Sequence, residues 1–331
     1  MKNSLLNSVG NTPLVKIDLN TPGQIFAKLE YLNPGGSIKD RSAKYLIEKA
    51  EQDGVLKPGG LIIDASSGNH GIALAMIGRI KDYRVIIVVS EKISKEKYQT
   101  LKAYGAEVVV CKATKFLEDP ESYHSVAKKM GTEIPGAFMP NQYYNTQNRD
   151  AHEFGIAPEI WEQTDGKITH FFAGAGTTGT ISGVGRFLKK QNKNIKVIAI
   201  DSINSFKATK GNPKPYEIEG VGMDFETPVF DESVVDEIVN VSDKEAIDML
   251  RFLAGQRGFL VGPSSGAVAV GLQKYASAFV KTSADRPKLN DSDLAVIIFG
   301  DSGRAYLSKN FYCEEDASYN YNQSRNKYLH F

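Results

Sequence analysis

Cysteine is nearly absent from these 331 residues: there are two, Cys111 and Cys313. Two cysteines cannot make a disulfide scaffold, and neither has a second cysteine or a close histidine to complete a metal site. They fit a reducing compartment. Excess charge of one sign is absent as well: 40 Lys and Arg balance 39 Asp and Glu, for a formal net charge of +1. That balance offers no electrostatic footprint for nucleic acid or an anionic membrane. No apolar run approaches the roughly 18 residues of a membrane span. The opening MKNSLLNSVGNTPLV lacks the apolar centre of a secretory signal. No repeat of about 20–50 residues occurs, which excludes solenoids and propellers. Apolar residues at 41% and charged residues at 24% exclude a disordered or fibrous chain. The expectation is a cytoplasmic protein of about two domains.

Short, nearly continuous apolar runs recur: Ile25–Leu29, Leu61–Asp64, Arg84–Val89, Glu107–Val110, Thr169–Phe172, Lys196–Ile200 and Ala295–Phe299. Such runs are strands buried on both faces, as in parallel sheets under helices. Between them, Ser37–Gln52, Gly71–Ile80, Lys95–Tyr104, Ile181–Lys190 and Lys244–Gln256 show helical spacing of apolar residues. The alternation predicts an α/β fold with right-handed crossovers. A boundary is expected near 134–145, where IPGAFMPNQYYNTQN is rich in turn formers.

Four loops carry chemistry. Gly174-Ala-Gly-Thr-Thr-Gly-Thr180 leads from a strand into a helix. A glycine-rich turn there presents free backbone N–H groups and the positive helix end to an anion, usually a phosphate. The hydroxyls of Thr177, Thr178 and Thr180 add donors. Gly174, Gly176 and Gly179 also satisfy the dinucleotide fingerprint, with Asp201 about 20 residues on, so an oxidoreductase stays open. In Asn33-Pro-Gly-Gly-Ser-Ile-Lys-Asp-Arg41, Ser37 suits an N-cap, with Asp40 as its capping-box acid. Lys39 then falls in the first helical turn, where the helix end disfavours its ammonium and draws its pKa down. A neutral amine is what Schiff-base chemistry requires, although taken alone Lys39 reads first as a solvated surface lysine. Asp64-Ala-Ser-Ser-Gly-Asn-His-Gly71 reads as a second anion site, of a capacity suited to a carboxylate, or equally as an ordinary strand-to-helix loop with a Ser or Asn cap. Gly262-Pro-Ser-Ser-Gly266 is ordinary turn chemistry by itself.

Together the loops are far more specific. NTPLV at 11–15, NPGGSIKDR at 33–41, SSGNHGIALA at 66–75, GAGTTGT at 174–180, IEGVGMDF at 218–225 and VGPSSGA at 261–267 resemble, in order and spacing, the pyridoxal-phosphate enzymes of the cysteine synthase and cystathionine β-synthase family. The resemblance implies fold type II: two domains, each a helix-covered, mostly parallel sheet, with pyridoxal 5'-phosphate in the cleft between. It implies a smaller mobile domain from residues 1–11 and 35–143, a larger phosphate-binding domain from 12–34 and 144–313, and a tail at 314–331. Lys39 matches the lysine that bonds the cofactor and moves the α-proton. Gly176, Thr177, Thr178, Gly179 and Thr180 match the phosphate cradle. Asn69 matches the partner of the cofactor's phenolic oxygen, and Ser264 faces the pyridine nitrogen. Ser66, Ser67, Asn69, His70 and Gln142 match the groups around the substrate carboxylate, and Gly220 with Gly222 a loop over the cofactor face. No metal is implied.

The activity so implied is β-replacement on an O-activated L-serine through an aminoacrylate, foremost O-acetylserine and sulfide giving cysteine and acetate. Alternatives are serine or O-acetylserine with homocysteine giving cystathionine, a phosphoserine-using relative, and β-elimination. The last is motivated by His70, which stands where the synthases carry threonine. The partners expected are an amino-acid substrate, a thiol or sulfide nucleophile and a second copy in a homodimer, with no nucleic acid and no membrane. The chain opens just before Thr12 and closes soon after the last motif, so neither a haem-binding extension nor a regulatory domain is expected. His124, His152, His170 and His330, Trp161 and the tyrosines read as packing or surface residues.

Overall fold

The computed structural model describes residues 4–66, 68–114, 119–278 and 288–312. Ser67, Cys313 and the segment 314–331 lie outside the described residues.

After a 3-10 turn at Leu5–Ser8, a hairpin pairs β1 (Leu14–Lys16) antiparallel to β2 (Gln24–Leu29), and the chain then enters α1 (Lys39–Gln52). A strand–helix alternation follows: β3 (Leu61–Ala65), α2 (Asn69–Ile80), β4 (Arg84–Ser90), α3 (Lys95–Ala103), β5 (Glu107–Cys111), α4 (Tyr123–Glu133) and the short β6 (Ala137–Phe138). Two helices, α5 (Gln147–Glu153) and α6 (Ile156–Gln163), lead to β7 (His170–Gly174), α7 (Gly179–Gln191), β8 (Lys196–Ser202) and β9 (Glu237–Val241). The last described elements are α8 (Asp243–Arg257), α9 (Pro263–Ser277) and β10 (Leu294–Phe299), apart from short 3-10 turns.

These strands form two sheets, as the α/β pattern predicts. One has the order β5-β4-β3-β6 and the other β1-β2-β10-β7-β8-β9. All pairings but β1–β2 are parallel. Parallel strands need a crossover between neighbours, so helices cover both faces and the strands must be apolar on both. In the six-stranded sheet, Phe172, Ile198 and Ile200 pack against α8 and α9, while Phe171, Val197 and Ala199 pack against α6 and α7. In the four-stranded sheet, Ile62 and Ile87 meet α1 and α2, while Ile63 and Val88 meet Ala127 of α4. Among the described residues no helix is long and apolar enough to cross a membrane.

Three local expectations are corrected. Helix α1 begins at Lys39, not after Ser37: Ser37 forms a β-bridge with Asp301, and Asp40 turns back to accept the Gly35 N–H at 2.6 Å. The reciprocal capping box is lost because Ser37 Oγ accepts from Lys39 N at 3.2 Å rather than from Asp40 N, and the Asp40 carboxylate is spent on Gly35. Strand β5 is not buried on both faces, since it is an edge and exposes Glu107 and Val110. Helix α2 starts two residues before Gly71, at Asn69.

Candidate active site

Ligands of open α/β sheets gather beyond the carboxyl ends of the strands. Here β3 runs into Ser66–His70, β7 into 174–180 and β10 into Gly300-Asp301. Lys39, at the start of α1, lies among them. Its Nζ donates to Gln142 Oε1 at 3.0 Å and to Thr177 Oγ1 at 3.3 Å. One amine thus touches both the glutamine loop and the glycine-rich turn. Its pKa is drawn down to about 8, as expected, but the cause is chiefly burial, against which the carboxylates of Asp64 and Asp301 pull upward.

What holds Lys39 in place was missed from the sequence. Two residues on, Arg41 bonds Glu30 Oε2 at 2.6 Å and Glu159 Oε1 at 2.7 Å. Glu159 also pairs with the buried Lys28 at 2.7 Å, and Thr12 donates to Glu30 at 2.6 Å. This network ties α1 to β2 and α6. Residue types hinted at buried charge without naming its partners: Lys28 interrupts the apolar run of β2 and Glu30 follows directly after it, and such charges are buried only when paired.

The turn 174–180 has the geometry of an anion cradle. Thr178 adopts a left-handed conformation (φ 62°), which turns the backbone at the start of α7. A Cβ on Gly176 would sit 2.9 Å from the Gly220 carbonyl, so only glycine lets the two strands of loop approach this closely. The Thr178 hydroxyl, expected as a ligand donor, donates instead to the Thr177 carbonyl at 2.6 Å. Its side chain is buried, leaving Thr177, Thr180 and the backbone N–H groups to face an anion.

Ser66 Oγ accepts from Gly71 N at 3.1 Å and Gly68 N at 3.4 Å, which frees its own proton for an acceptor in the loop. Asn69 donates to Asp301 Oδ2 at 2.6 Å, and Tyr306 donates to the same oxygen at 2.5 Å. The ring of His70 is buried with Nδ1 3.1 Å from Asp64 Oδ2. Ser264 lies at the start of α9 between two glycines: a Cβ on Gly220 or on Gly300 would come within 3.5 Å of its Oγ. Lys97, absent from every motif, is buried and pairs with Glu219 at 2.5 Å.

Asp201 does not serve a dinucleotide. It is buried and accepts from Ser202 N, Ser205 Oγ and Met223 N, at 2.9, 2.6 and 3.0 Å, so its oxygens pin the 220s loop. The donor set present instead is a low-pKa amine beside a phosphate-sized turn, with the Gly176–Gly220 approach leaving backbone rather than side chains around it. An aldehyde bearing a phosphate ester fits both halves.

Fold and cleft therefore define a protein that sets a buried lysine amine of lowered pKa beside a glycine-rich turn, between two helix-covered sheets. The family model described as pyridoxal-phosphate dependent enzyme matches residues 5–286, and the chain belongs to that family. It is 41% identical over 324 residues to cystathionine β-synthase of Saccharomyces cerevisiae, covering 93% of this chain and 62% of that protein. The chain thus spans about six tenths of that relative's length. A probable cysteine synthase of Bacillus subtilis is 39% identical over 306 residues, covering 91% and 94% of the two chains. Among solved structures, the O-acetylserine dependent cystathionine β-synthase of Helicobacter pylori superposes with a TM-score of 0.85 at 35% identity, covering 95% and 99%.

Proposed function

We propose that this chain binds pyridoxal 5'-phosphate and catalyses β-replacement on an O-activated L-serine, foremost O-acetylserine with sulfide to give L-cysteine and acetate. The observation that carries this is the position of Lys39 Nζ, within hydrogen-bond reach of both Gln142 and Thr177. Lys39 would bond the cofactor's aldehyde carbon, while Gly176, Thr177, Gly179 and Thr180, with the Thr178 backbone, would hold its phosphate. When bound, the cofactor supplies an electron sink for the substrate α-carbon. Ser264 would face the ring nitrogen with a neutral hydroxyl, which cannot hold that nitrogen protonated as a carboxylate would. A weaker sink favours prompt loss of the β-substituent over transamination.

Ser66, Ser67, Asn69 and Gln142 would orient the substrate carboxylate, with His70 fixing the loop through Asp64. Lys39, once released, would take the α-proton as general base. Closure of the four-stranded part (1–11 and 35–143) on the rest would exclude water from the reactive state. The same proposal carries a cytoplasmic homodimer.

A second reading, homocysteine as nucleophile giving cystathionine, is favoured by the likeness to the yeast and Helicobacter proteins. Both are tested by following the visible spectrum of the purified protein with O-acetylserine, L-serine and O-phosphoserine, then adding sulfide or homocysteine. A donor-induced band that sulfide discharges supports the first reading, and one that only homocysteine discharges supports the second. Decay to pyruvate at the same rate with or without a thiol overturns both in favour of elimination.

A further inference from the structure

Helix α5 stands behind two parts of the cleft at once. Asn148, fully buried, donates to the main-chain oxygen of Gln142 at 2.8 Å. His152, one helical turn later on the same face, places Nε2 3.4 Å from Thr180 Oγ1. The helix meets α7 without intervening space: a Cβ on Gly179 would come within 2.7 Å of Asn148 Oδ1, and one on Gly183 would collide with the Arg149 carbonyl. His152 Nδ1 is buried and has no hydrogen-bond partner among the described residues.

The ring is neutral, because burial and then the nearby Lys39 and Arg41 charges hold its pKa well below the usual imidazole range. A neutral imidazole carries its proton on one nitrogen. A proton on Nδ1 would be buried with no acceptor, and Nε2 would then consume the Thr180 hydroxyl proton. Thr180 would show an anion only lone pairs. A proton on Nε2 reverses this: the ring donates to Thr180 Oγ1, and the hydroxyl proton is free for the turn. The bare Nδ1 is then merely an unpaired acceptor, which buried sites tolerate better than an unpaired N–H.

We propose that His152 is a positioning residue for the anion turn: its Nε2–H orients Thr180 to donate to a phosphate monoester, while Asn148 on the same face holds the Gln142 backbone. This rests on the reading that the turn takes the cofactor's phosphate.

Two measurements test it. Nitrogen-15 NMR of the histidine-labelled, cofactor-loaded protein should show His152 protonated on Nε2 and bare on Nδ1; the opposite tautomer, or a charged ring, overturns the proposal. Separately, His152→Phe keeps bulk but removes the donor, and His152→Gln restores an N–H. His152→Phe should raise the dissociation constant of pyridoxal 5'-phosphate, followed by fluorescence on reconstitution, about tenfold. His152→Gln should recover most of that. Pyridoxal, which lacks the phosphate, should change less than about twofold in either variant. Equal weakening of both ligands, or unchanged affinity in His152→Phe, overturns the proposal while the cofactor reading stands. Failure of the unmodified protein to bind pyridoxal 5'-phosphate removes both. If His152→Phe does not fold, the tautomer decides.

Discussion

A lysine amine attacks an aldehyde only when unprotonated, so the protein's treatment of Lys39 sets its reactivity. Burial lowers its pKa from 10.5 to about 8. The neutral fraction rises with pH through that value, so the rate of cofactor capture by the cofactor-free protein should climb between about pH 7 and 9 and level off above. Stopped-flow absorbance checks this; a rise delayed to the ordinary lysine range would contradict the burial. Lys39→Ala should bind the cofactor without the covalent visible band and lose turnover by several orders of magnitude, leaving at best about a thousandth of the rate. The network behind Lys39 has its own pH signature. Arg41 and Lys28 hold Glu159 down to about 2, from an ordinary 4.5. Its folded pKa is the lower one, so the stability it contributes is present above about 4.5 and is lost as pH falls toward 2. Arg41→Met leaves Glu30 and Glu159 without their main partner and should cost about 3–5 kcal/mol in urea unfolding near pH 7. None of this pairing was legible from residue types alone: Arg41 and Glu159 are 118 positions apart in the chain.

At the scale of elements, strands and helices with strong apolar periodicity were legible, and those without it were not. Strands β1 and β6 have three and two residues and offer no pattern to read. Strand β9, Glu237–Val241, is only partly buried and mixes polar with apolar residues. Helix α8, expected over Lys244–Gln256 from its apolar spacing, begins at Asp243 behind a capping box of Ser242 and Glu245 that the spacing did not show. Ser242→Ala should cost about 1 kcal/mol, read as a shift in the thermal midpoint. The box expected at Ser37 failed because its hydroxyl serves the Lys39 N–H and the Asp40 carboxylate turns back to Gly35. The turn before α7 was readable as an anion site from its glycines, whereas its closest constraint was not. Gly176 faces the Gly220 carbonyl, 44 residues downstream, at 2.9 Å from where a Cβ would stand. Gly176→Ala should leave far-ultraviolet circular dichroism unchanged while weakening pyridoxal 5'-phosphate binding at least about tenfold, since the new Cβ would push apart the 174–180 turn and the Gly220 loop that the proposed site draws together.

At the scale of the molecule, the two sheets are joined across the cleft by polar contacts rather than by a shared apolar core. Asn69 of α2 reaches Asp301 beyond β10, and Lys97 of α3 reaches Glu219, next to Gly220. The buried Lys97 also lies 4.1 Å over the Tyr306 ring, whose hydroxyl completes the Asp301 contact. Polar links of this kind can be broken and remade without exposing a core, which suits a part that closes on substrate. If the proposed closure holds, Lys97→Met should raise KM for the amino-acid donor about tenfold while changing cofactor affinity less than about twofold, because the lost link joins the two sheets and touches no residue of the 174–180 turn directly. Equal losses in both would assign Lys97 to general stability.

The α/β class and the candidate anion turn were legible in short stretches of sequence, and the family in the order and spacing of six such stretches. A glycine-rich strand-to-helix junction is local chemistry, and so is an apolar run too continuous for one exposed face. What only the tertiary structure decided depends on separation. Nothing local places β1 and β2 beside β10, pairs Arg41 with Glu159, spends Asp201 on the 220s loop, or sets His152 behind Thr180. Those contacts follow from how two sheets and their crossover helices pack, and packing is a property of surfaces that the linear order does not display.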